Sequence, residues 1–106
     1  MITRMILVNV PSEKVSEAER LWKNDCGPLM KKQPGCLNER FLRGRENPGE
    51  FISLSTWESQ AAIDRYRASE AHKLIQQHSR ALMNVAKVQV KTYEVVDETP
   101  SSTNKK

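Results

Sequence analysis

The sequence has no long apolar run. Nowhere in its 106 residues do roughly eighteen apolar residues follow one another, and the N-terminal residues Met1-Ile2-Thr3-Arg4 do not begin a signal peptide. We therefore expect a cytoplasmic protein without a membrane-spanning helix and without a membrane partner.

Cysteine and the common catalytic motifs are also scarce. The two cysteines, Cys26 and Cys36, form no CxxC pair and have no His at zinc-finger spacing, so we expect two buried or half-buried thiols and no metal site. The chain contains no GxSxG, P-loop, dinucleotide-binding glycine or HExxH pattern. Hydrolytic, nucleotide-dependent and zinc-protease chemistries are therefore unsupported, and we expect no cofactor.

Positive charge exceeds negative charge, since 17 Lys and Arg stand against 13 Asp and Glu for a net charge of +4. The basic residues are scattered among acidic ones, as Arg40, Arg43 and Arg45 are among Glu39, Glu46 and Glu50. No helix-turn-helix, zinc finger or RNA-stacking pattern accompanies them, so we expect a solvated surface and no nucleic-acid partner.

The composition is that of one small globular domain. Hydrophobic residues make up 38% and charged residues 28%, and 106 residues are near the lower end of the roughly 100–200 that a domain takes. A domain of this size buries a modest core, which favours association with a second copy.

The first half of the chain alternates strands with one helix. Residues 2–10 are apolar and rich in β-branched residues, which predicts a strand closed by Pro11. Ser12 is a candidate cap for a helix that frays near Gly27-Pro28 and ends by residues 33–35. Residues 36–44 and 50–57 then form a hairpin around the turn at 46–49.

The second half begins with a helix in two pieces, capped by Ser59 and Ser69. The second piece carries a predicted buried stripe at helical spacing, made of Ala71, Leu74, Ile75, His78, Ala81 and Leu82. Residues 85–96 alternate over a span long for a small sheet, so this last strand is expected to overhang and pair with a second chain. Residues 98–106 should be a disordered tail.

The order strand-helix-strand-strand-helix-strand predicts an α+β, ferredoxin-like domain over residues 1–97. In this fold, two helices cover one face of an antiparallel sheet.

Four fragments together resemble the antibiotic biosynthesis monooxygenase domain, over about residues 2–96. They are Gln33-Pro34-Gly35-Cys36-Leu37, Asn47-Pro48-Gly49-Glu50-Phe51, Ser55-Thr56-Trp57-Glu58-Ser59 and Ser69-Glu70-Ala71-His72. The resemblance implies a homodimeric α+β barrel, with a pocket between sheet and helices in each protomer. It narrows the fold much more than the chemistry, because the superfamily includes cofactor-free oxygenases of polycyclic aromatic substrates, haem-degrading enzymes and many members with no known activity.

The haem-degrading branch has an Asn on the first strand, a Trp in the second helical region and a His ten residues later. Here Asn9 lies late in the first strand, Tyr66 stands near the Trp position and Gln76 replaces the His. Two of the three positions differ from the pattern of the haem-degrading branch, and this disfavours haem degradation.

Three residues are candidates for proton transfer: Tyr66, His72 and His78. Tyr66 has a phenol that can hydrogen-bond or help deprotonate a phenolic ligand, and either histidine can act as a base. Each also has a structural interpretation, as an amphipathic helix residue or a hydrogen-bonded core histidine. The six-residue spacing of the two histidines does not make a paired metal site.

Three more residues are candidates for substrate binding: Trp57, Asn9 and Arg40. Trp57 could stack on a flat substrate or simply pack in the core. Asn9 could hold an oxygen and Arg40 could stabilise negative charge, or both could face water, because a one-residue change of register exchanges the two faces of a strand.

These observations lead to a hypothesis and two alternatives. The hypothesis is a homodimeric, cofactor-independent monooxygenase acting on a small aromatic or quinone-like molecule. One alternative is a non-catalytic, stress-related dimer that sequesters a quinone or haem. The other is an interaction module whose pocket is filled by its own side chains.

Overall fold

The computed structural model describes residues 1–100, in which four eight-residue strands form one antiparallel sheet. The strands are β1 (Ile2–Asn9), β2 (Cys36–Arg43), β3 (Glu50–Trp57) and β4 (Lys87–Glu94), and their order in the sheet is β2-β3-β1-β4. The helices are α1 (Val15–Leu21), α2 (Gly27–Lys31), α3 (Gln60–Arg67) and α4 (Glu70–Met83). This arrangement confirms the predicted ferredoxin-like α+β fold.

The first helical region is continuous, which corrects the predicted fraying at Gly27-Pro28. A 3-10 turn, Ser12–Lys14, leads into α1, and a π-helical turn, Trp22–Cys26, joins α1 to α2. Proline lacks an N–H, and its ring clashes with the carbonyl four residues earlier in a regular α-helix. The wider π-helical turn ends just before Gly27-Pro28 and makes room for the proline ring. Ser12 makes no capping hydrogen bond, so that predicted cap is wrong.

The two later caps are confirmed. The Ser59 hydroxyl accepts a hydrogen bond from the Ala62 backbone N–H (3.2 Å), and the Ser69 hydroxyl accepts one from the His72 backbone N–H (3.2 Å). Ser69 also donates to the Tyr66 carbonyl oxygen (2.6 Å), which fixes the junction between α3 and α4.

The inner face of the sheet is defined by alternation along β3. Phe51, Ser53, Ser55 and Trp57 are buried there, while the residues between them are only half-buried. On β1 the same face carries the buried Arg4 and Val8 beside Ile2 and Ile6. The outer face is half-buried and apolar at its centre, where Met5 is paired with Leu54 and Leu7 with Ile52.

Two hydrophobic clusters lie between the inner face and the helices. One contains Cys26, Met30, Trp57, Ala62, Ile63, Tyr66 and Ile75, and the other contains Val8, Val10, Ala18, Phe51 and Leu82. Both cysteines are free thiols, Cys26 buried and Cys36 half-buried, as predicted.

The last strand is shorter than predicted. β4 covers eight residues and pairs along its whole length with β1, from Lys87 opposite Asn9 to Glu94 opposite Ile2. The predicted overhang is therefore wrong, because the ladder ends where β1 ends. As an edge strand without a helix over it, β4 has every residue exposed, and this includes Val88 and Val90.

Helix α4 buries part of the predicted stripe, at Ile75 and Leu82, but not the rest of it. Its buried residues are Ile75, Ser79 and Leu82, whereas Leu74, His78 and Ala81 are exposed. The polar Ser79 is accepted on the buried face because its hydroxyl donates to the Ile75 carbonyl oxygen (2.8 Å) within the helix. The predicted burial of His78 is therefore wrong.

The predicted tail at 98–106 falls mainly outside the described residues, since 101–106 are not described. Residues 98–100 form no helix or strand. Over residues 1–100, no helix is both long and apolar enough to cross a membrane.

Candidate functional site

A cavity of about 190 Å³ lies between the inner face of the sheet and helices α1 and α4. Most of its lining is apolar and includes Ile6, Val8, Phe51, Leu82 and Val88. The polar residues in the lining are Arg4, Ser53, Tyr66, His72, Gln76 and Ser79. An apolar cavity with a few polar groups is the usual form of a small-molecule site.

The polar and apolar groups are concentrated at different ends of the cavity. Arg4 and Val8 are four residues apart on β1, which separates them by roughly 13 Å. Tyr66 belongs to the hydrophobic cluster at the Arg4 end, and Leu82 belongs to the cluster that contains Val8. We call these the polar end and the apolar end of the cavity.

Tyr66 and Trp57 form the wall of the polar end. Trp57 is fully buried behind Tyr66, with ring centroids 5.2 Å apart, and its indole N–H donates to the Ser55 hydroxyl (2.9 Å). Burial raises the pKa of Tyr66 to about 12, with the Arg4 cation opposing this shift. Tyr66 therefore remains a neutral phenol at neutral pH and is suited to donating a hydrogen bond.

His72 lies at the first turn of α4 and meets Tyr66 edge to face, with ring centroids 5.0 Å apart. Its pKa is lowered, first by burial and then by the nearby cations Arg4 and Arg67. The imidazole is consequently neutral at neutral pH and can accept a proton.

Among the residues that the structure describes, Arg4 is the only charged one that lines the cavity. It is 8% exposed, and no side-chain hydrogen bond or ion pair of its guanidinium is present within residues 1–100. Burial lowers its pKa from the ordinary value, and Arg67 acts in the same direction.

Glu39 lies next to the cavity on β2. Its Oε2 accepts hydrogen bonds from the indole N–H of Trp22 and the hydroxyl of Ser53, both 3.0 Å long. Its Oε1 is buried and has no partner within the described part of the chain. Burial raises the Glu39 pKa to about 7, against the lowering effects of these hydrogen bonds and of Lys31 and Arg4.

The structure brings only some of the six predicted site residues together. Tyr66 and His72 line the cavity, and Trp57 supports Tyr66 without lining it, so its predicted position at a pocket mouth is corrected. The remaining three lie elsewhere, with His78 and Arg40 exposed and Asn9 beside a separate shallow groove near Pro11 and Val85.

Sequence patterns did not single out Arg4 or Glu39. The residues on both faces of β1 are mostly apolar. The alternation along this strand therefore does not show which face Arg4 occupies. On β2 the inner face is that of Glu39 and Phe41, and the predicted Arg40 projects from the other face. Gln76, which replaces the histidine of the haem-degrading pattern, does line the cavity.

No group of three or more His, Cys, Asp and Glu residues that could hold a metal ion occurs between residues 1 and 100. The side chains at the polar end are instead suited to holding an organic molecule through hydrogen bonds and charge.

Solved structures with this fold align with almost the whole chain. A Deinococcus radiodurans protein assigned to the antibiotic biosynthesis monooxygenases has a TM-score of 0.81 and 17% identity, covering 95% of this chain and 98% of its own. SnoaB, a cofactor-independent oxygenase from Streptomyces nogalater, has a TM-score of 0.79 and 18% identity over 94% of this chain and 97% of its own. At these identities the likeness establishes the fold alone.

The sequence itself matches a family model. No curated protein matches the chain significantly. The model of the family described as "Antibiotic biosynthesis monooxygenase" matches residues 1–78, which include β1, β2, β3, α3 and the first part of α4. This chain belongs to the antibiotic biosynthesis monooxygenase family.

Proposed function

We propose that the protein is a cofactor-independent monooxygenase acting on a small aromatic or quinone-like molecule. The observation that carries this proposal is the cavity, whose lining is mostly apolar and which brings Arg4, Tyr66 and His72 together at its polar end. SnoaB, which has the same fold, is a cofactor-independent oxygenase. Such chemistry needs an apolar pocket, an anchor and a proton acceptor beside a substrate that forms a stabilised anion.

The proposed reaction begins with proton transfer. His72, neutral because of its burial and its cationic neighbours, accepts the proton of an acidic substrate group. The neutral Tyr66 phenol donates a hydrogen bond to the oxygen that becomes negative. The ring carbon that carries the delocalised charge, and that also bears a hydrogen, forms a C–O bond to dioxygen. The His72 imidazolium returns its proton to the resulting peroxide anion, and the hydroperoxide loses water, with the hydrogen of that carbon, to give a carbonyl group.

The size of the cavity limits the substrate. A cavity of about 150 Å³ accepts benzene, so about 190 Å³ suits one substituted ring or two fused rings. A haem, with four pyrrole rings, exceeds this space. The volume therefore favours a small phenol or quinol over haem sequestration in the single protomer.

A homodimer is part of the proposal. No helix within residues 1–100 covers the outer face of the sheet. An apolar patch lies at the centre of this face and consists of Met5, Leu7, Ile52 and Leu54. On the edge strand β4, Val88 and Val90 line the cavity although about half of each side chain is exposed. A second copy that covers these surfaces would remove apolar area from water and close the cavity.

Oxidation of 1-naphthol under labelled dioxygen tests the function. This two-ring phenol would consume one dioxygen to give 1,4-naphthoquinone and water, so one labelled oxygen atom should enter the quinone. Mass spectrometry of the product and an oxygen electrode measure both quantities. Labelled quinone formed only with the protein supports the proposal, and saturable binding without oxygen uptake would show the alternative, a non-catalytic binder.

A matched pair of variants connects the activity to the cavity. His72→Gln should lower the rate roughly 100- to 10,000-fold, because it removes the proposed general base. Tyr66→Phe keeps the ring on Trp57 and removes only the hydroxyl, so it should lower the rate while the protein stays folded. An unchanged rate in both variants would contradict the proposed site.

A further inference from the structure

Arg4 is a buried cation whose guanidinium has no hydrogen-bond or ion-pair partner among residues 1–100. It is 8% exposed and faces the cavity. A charge removed from water destabilises a protein unless a partner compensates it. Within residues 1–100 the space open to the guanidinium is the cavity, so a ligand bound there can supply the missing partner.

Glu39 on β2 and Glu94 on β4 are the acidic residues close to Arg4 across the sheet, but neither forms an ion pair with it within residues 1–100. Glu39 on β2 is paired with Ser55 on β3, and Ser55 is paired with Arg4 on β1. Adjacent strands are about 4.8 Å apart, so the two backbones are separated by about 10 Å. The Glu39 Oε2 is already occupied by Trp22 and Ser53.

The other groups facing Arg4 do not neutralise it. Tyr66 and Arg67 approach from α3, the first an un-ionised phenol and the second another cation. His72 approaches from α4 and is neutral. From β4, the residue paired with Arg4 is the uncharged Thr92, and Glu94, two residues further along that face, is exposed to solvent and forms no ion pair within residues 1–100. The polar end of the cavity thus carries a net positive field that favours an anion.

From this geometry we infer that Arg4 binds an anionic oxygen of the ligand, and that the ligand class is a one- or two-ring phenolate, enolate or carboxylate. The inference rests on the proposed function for the site and adds the charge and orientation of the substrate. The charged oxygen lies at Arg4, and the ring extends along β1 toward Val8 and Phe51. Neutral aromatic molecules of the same shape bind less tightly because they leave the guanidinium unpaired.

Binding of 4-nitrophenol, compared with nitrobenzene, measures this preference. The two probes have similar ring size, but only 4-nitrophenol ionises, and its phenolate absorbs visible light. Calorimetry should show tighter binding of 4-nitrophenol, and the absorbance should show a larger phenolate fraction in the bound than in the free probe. Equal affinities, or a bound probe that becomes more protonated, would overturn the inference.

Variants at Arg4 separate charge recognition from general damage. Arg4→Met keeps a long unbranched side chain and should weaken 4-nitrophenolate binding roughly 10- to 100-fold, the value of a charged hydrogen bond. Nitrobenzene binding should change by less than about threefold. Arg4→Lys, which keeps the charge but not the planar fork, should restore part of the phenolate affinity.

The stability of the ligand-free protein provides a second measurement. Replacing an unpaired buried cation with an apolar side chain should leave the melting temperature unchanged or raise it. A lower melting temperature, together with equal losses of affinity for both probes, would show that Arg4 is structural and would overturn the inference.

The inference and the proposed function fail in different ways. If wild-type protein binds 4-nitrophenolate through Arg4 but does not oxidise 1-naphthol, the anion site stands and the oxygenase function falls. If wild-type protein oxidises 1-naphthol and Arg4→Met binds phenolate equally well, the function stands and the anion site falls.

Discussion

The two ends of the cavity share the strands β1 and β3. They differ in whether their side chains find packing, hydrogen-bond or ion-pair partners within the protein. At the apolar end, Phe51 is fully buried and stacks on Phe41, with ring centroids 5.0 Å apart. At the polar end, Arg4 has no ion-pair partner within residues 1–100, and Glu39 has a buried oxygen without a hydrogen bond. The apolar end stabilises the fold. The groups without partners at the polar end lower stability, but they are free to bind a ligand.

The largest effect on stability is expected at the apolar end. Phe51→Ala should lower the free energy of unfolding by about 3–5 kcal/mol, because it removes the stacked ring and leaves a larger cavity. Urea denaturation measures this loss. Leu37→Ala, at a side chain about half exposed, is the control and should change stability by less than about 0.5 kcal/mol. Similar values for the two variants would contradict the assignment of Phe51 to the core.

At the polar end, Glu39 should make the protein less stable as pH rises. Its folded pKa of about 7 exceeds the ordinary value of 4.5, so the folded state holds a proton that the unfolded state has released. Stability due to this group therefore falls between pH 4.5 and about 7 and is constant above that range. The total loss is of the order of 3 kcal/mol.

Glu39→Gln removes this titration while keeping an oxygen for Trp22 and Ser53. Relative to wild type, the variant should gain stability as pH rises through this range and show little difference at pH 4.5. Unfolding free energies of both proteins across the pH range measure the difference. A difference in unfolding free energy that stays constant at all pH values would mean that the pKa of the Glu39 carboxyl is not raised in the folded state.

A smaller effect is expected at the junction that holds Tyr66 and His72. Ser69→Ala removes the cap of α4 and the hydrogen bond to the Tyr66 carbonyl, and it should destabilise the protein by about 1 kcal/mol. The matched control is Ser16→Ala, at an exposed position in α1 where alanine favours the helix. If Ser16→Ala destabilised as much, the cap would have no special role.

Local chemistry explains why much of the fold was predictable. Ser59 and Ser69 cap helices through interactions with residues three positions away, and the Asn47-Pro48-Gly49 turn joins two strands whose bounds differ from the predicted ones by at most one residue. The sequence positions of these elements follow from short-range rules. The length of β4 depends instead on its partner β1, a long-range constraint that its own alternation does not contain.

The site was less predictable because it depends on which face each residue occupies. β1 has apolar residues on both faces, since Met5 and Leu7 on the outer face match Ile6 and Val8 on the inner face. An arginine in such a strand can be assigned to the cavity only when the register is known. The same uncertainty on β2 favoured Arg40 over its half-buried neighbour Glu39.

The smallest effect is expected at His78, at the margin of the buried face of α4. Ile75, Ser79 and Leu82 define that face, and at about 100° per residue His78 lies roughly 70° from its centre, where its side chain is exposed to solvent. His78→Gln should change stability by less than about 0.5 kcal/mol and leave 1-naphthol oxidation unchanged, in contrast to His72→Gln. The same two assays measure both histidines. Loss of oxidation in His78→Gln, with unchanged stability, would place the chemistry on the outer surface of α4 and remove the cavity from the mechanism.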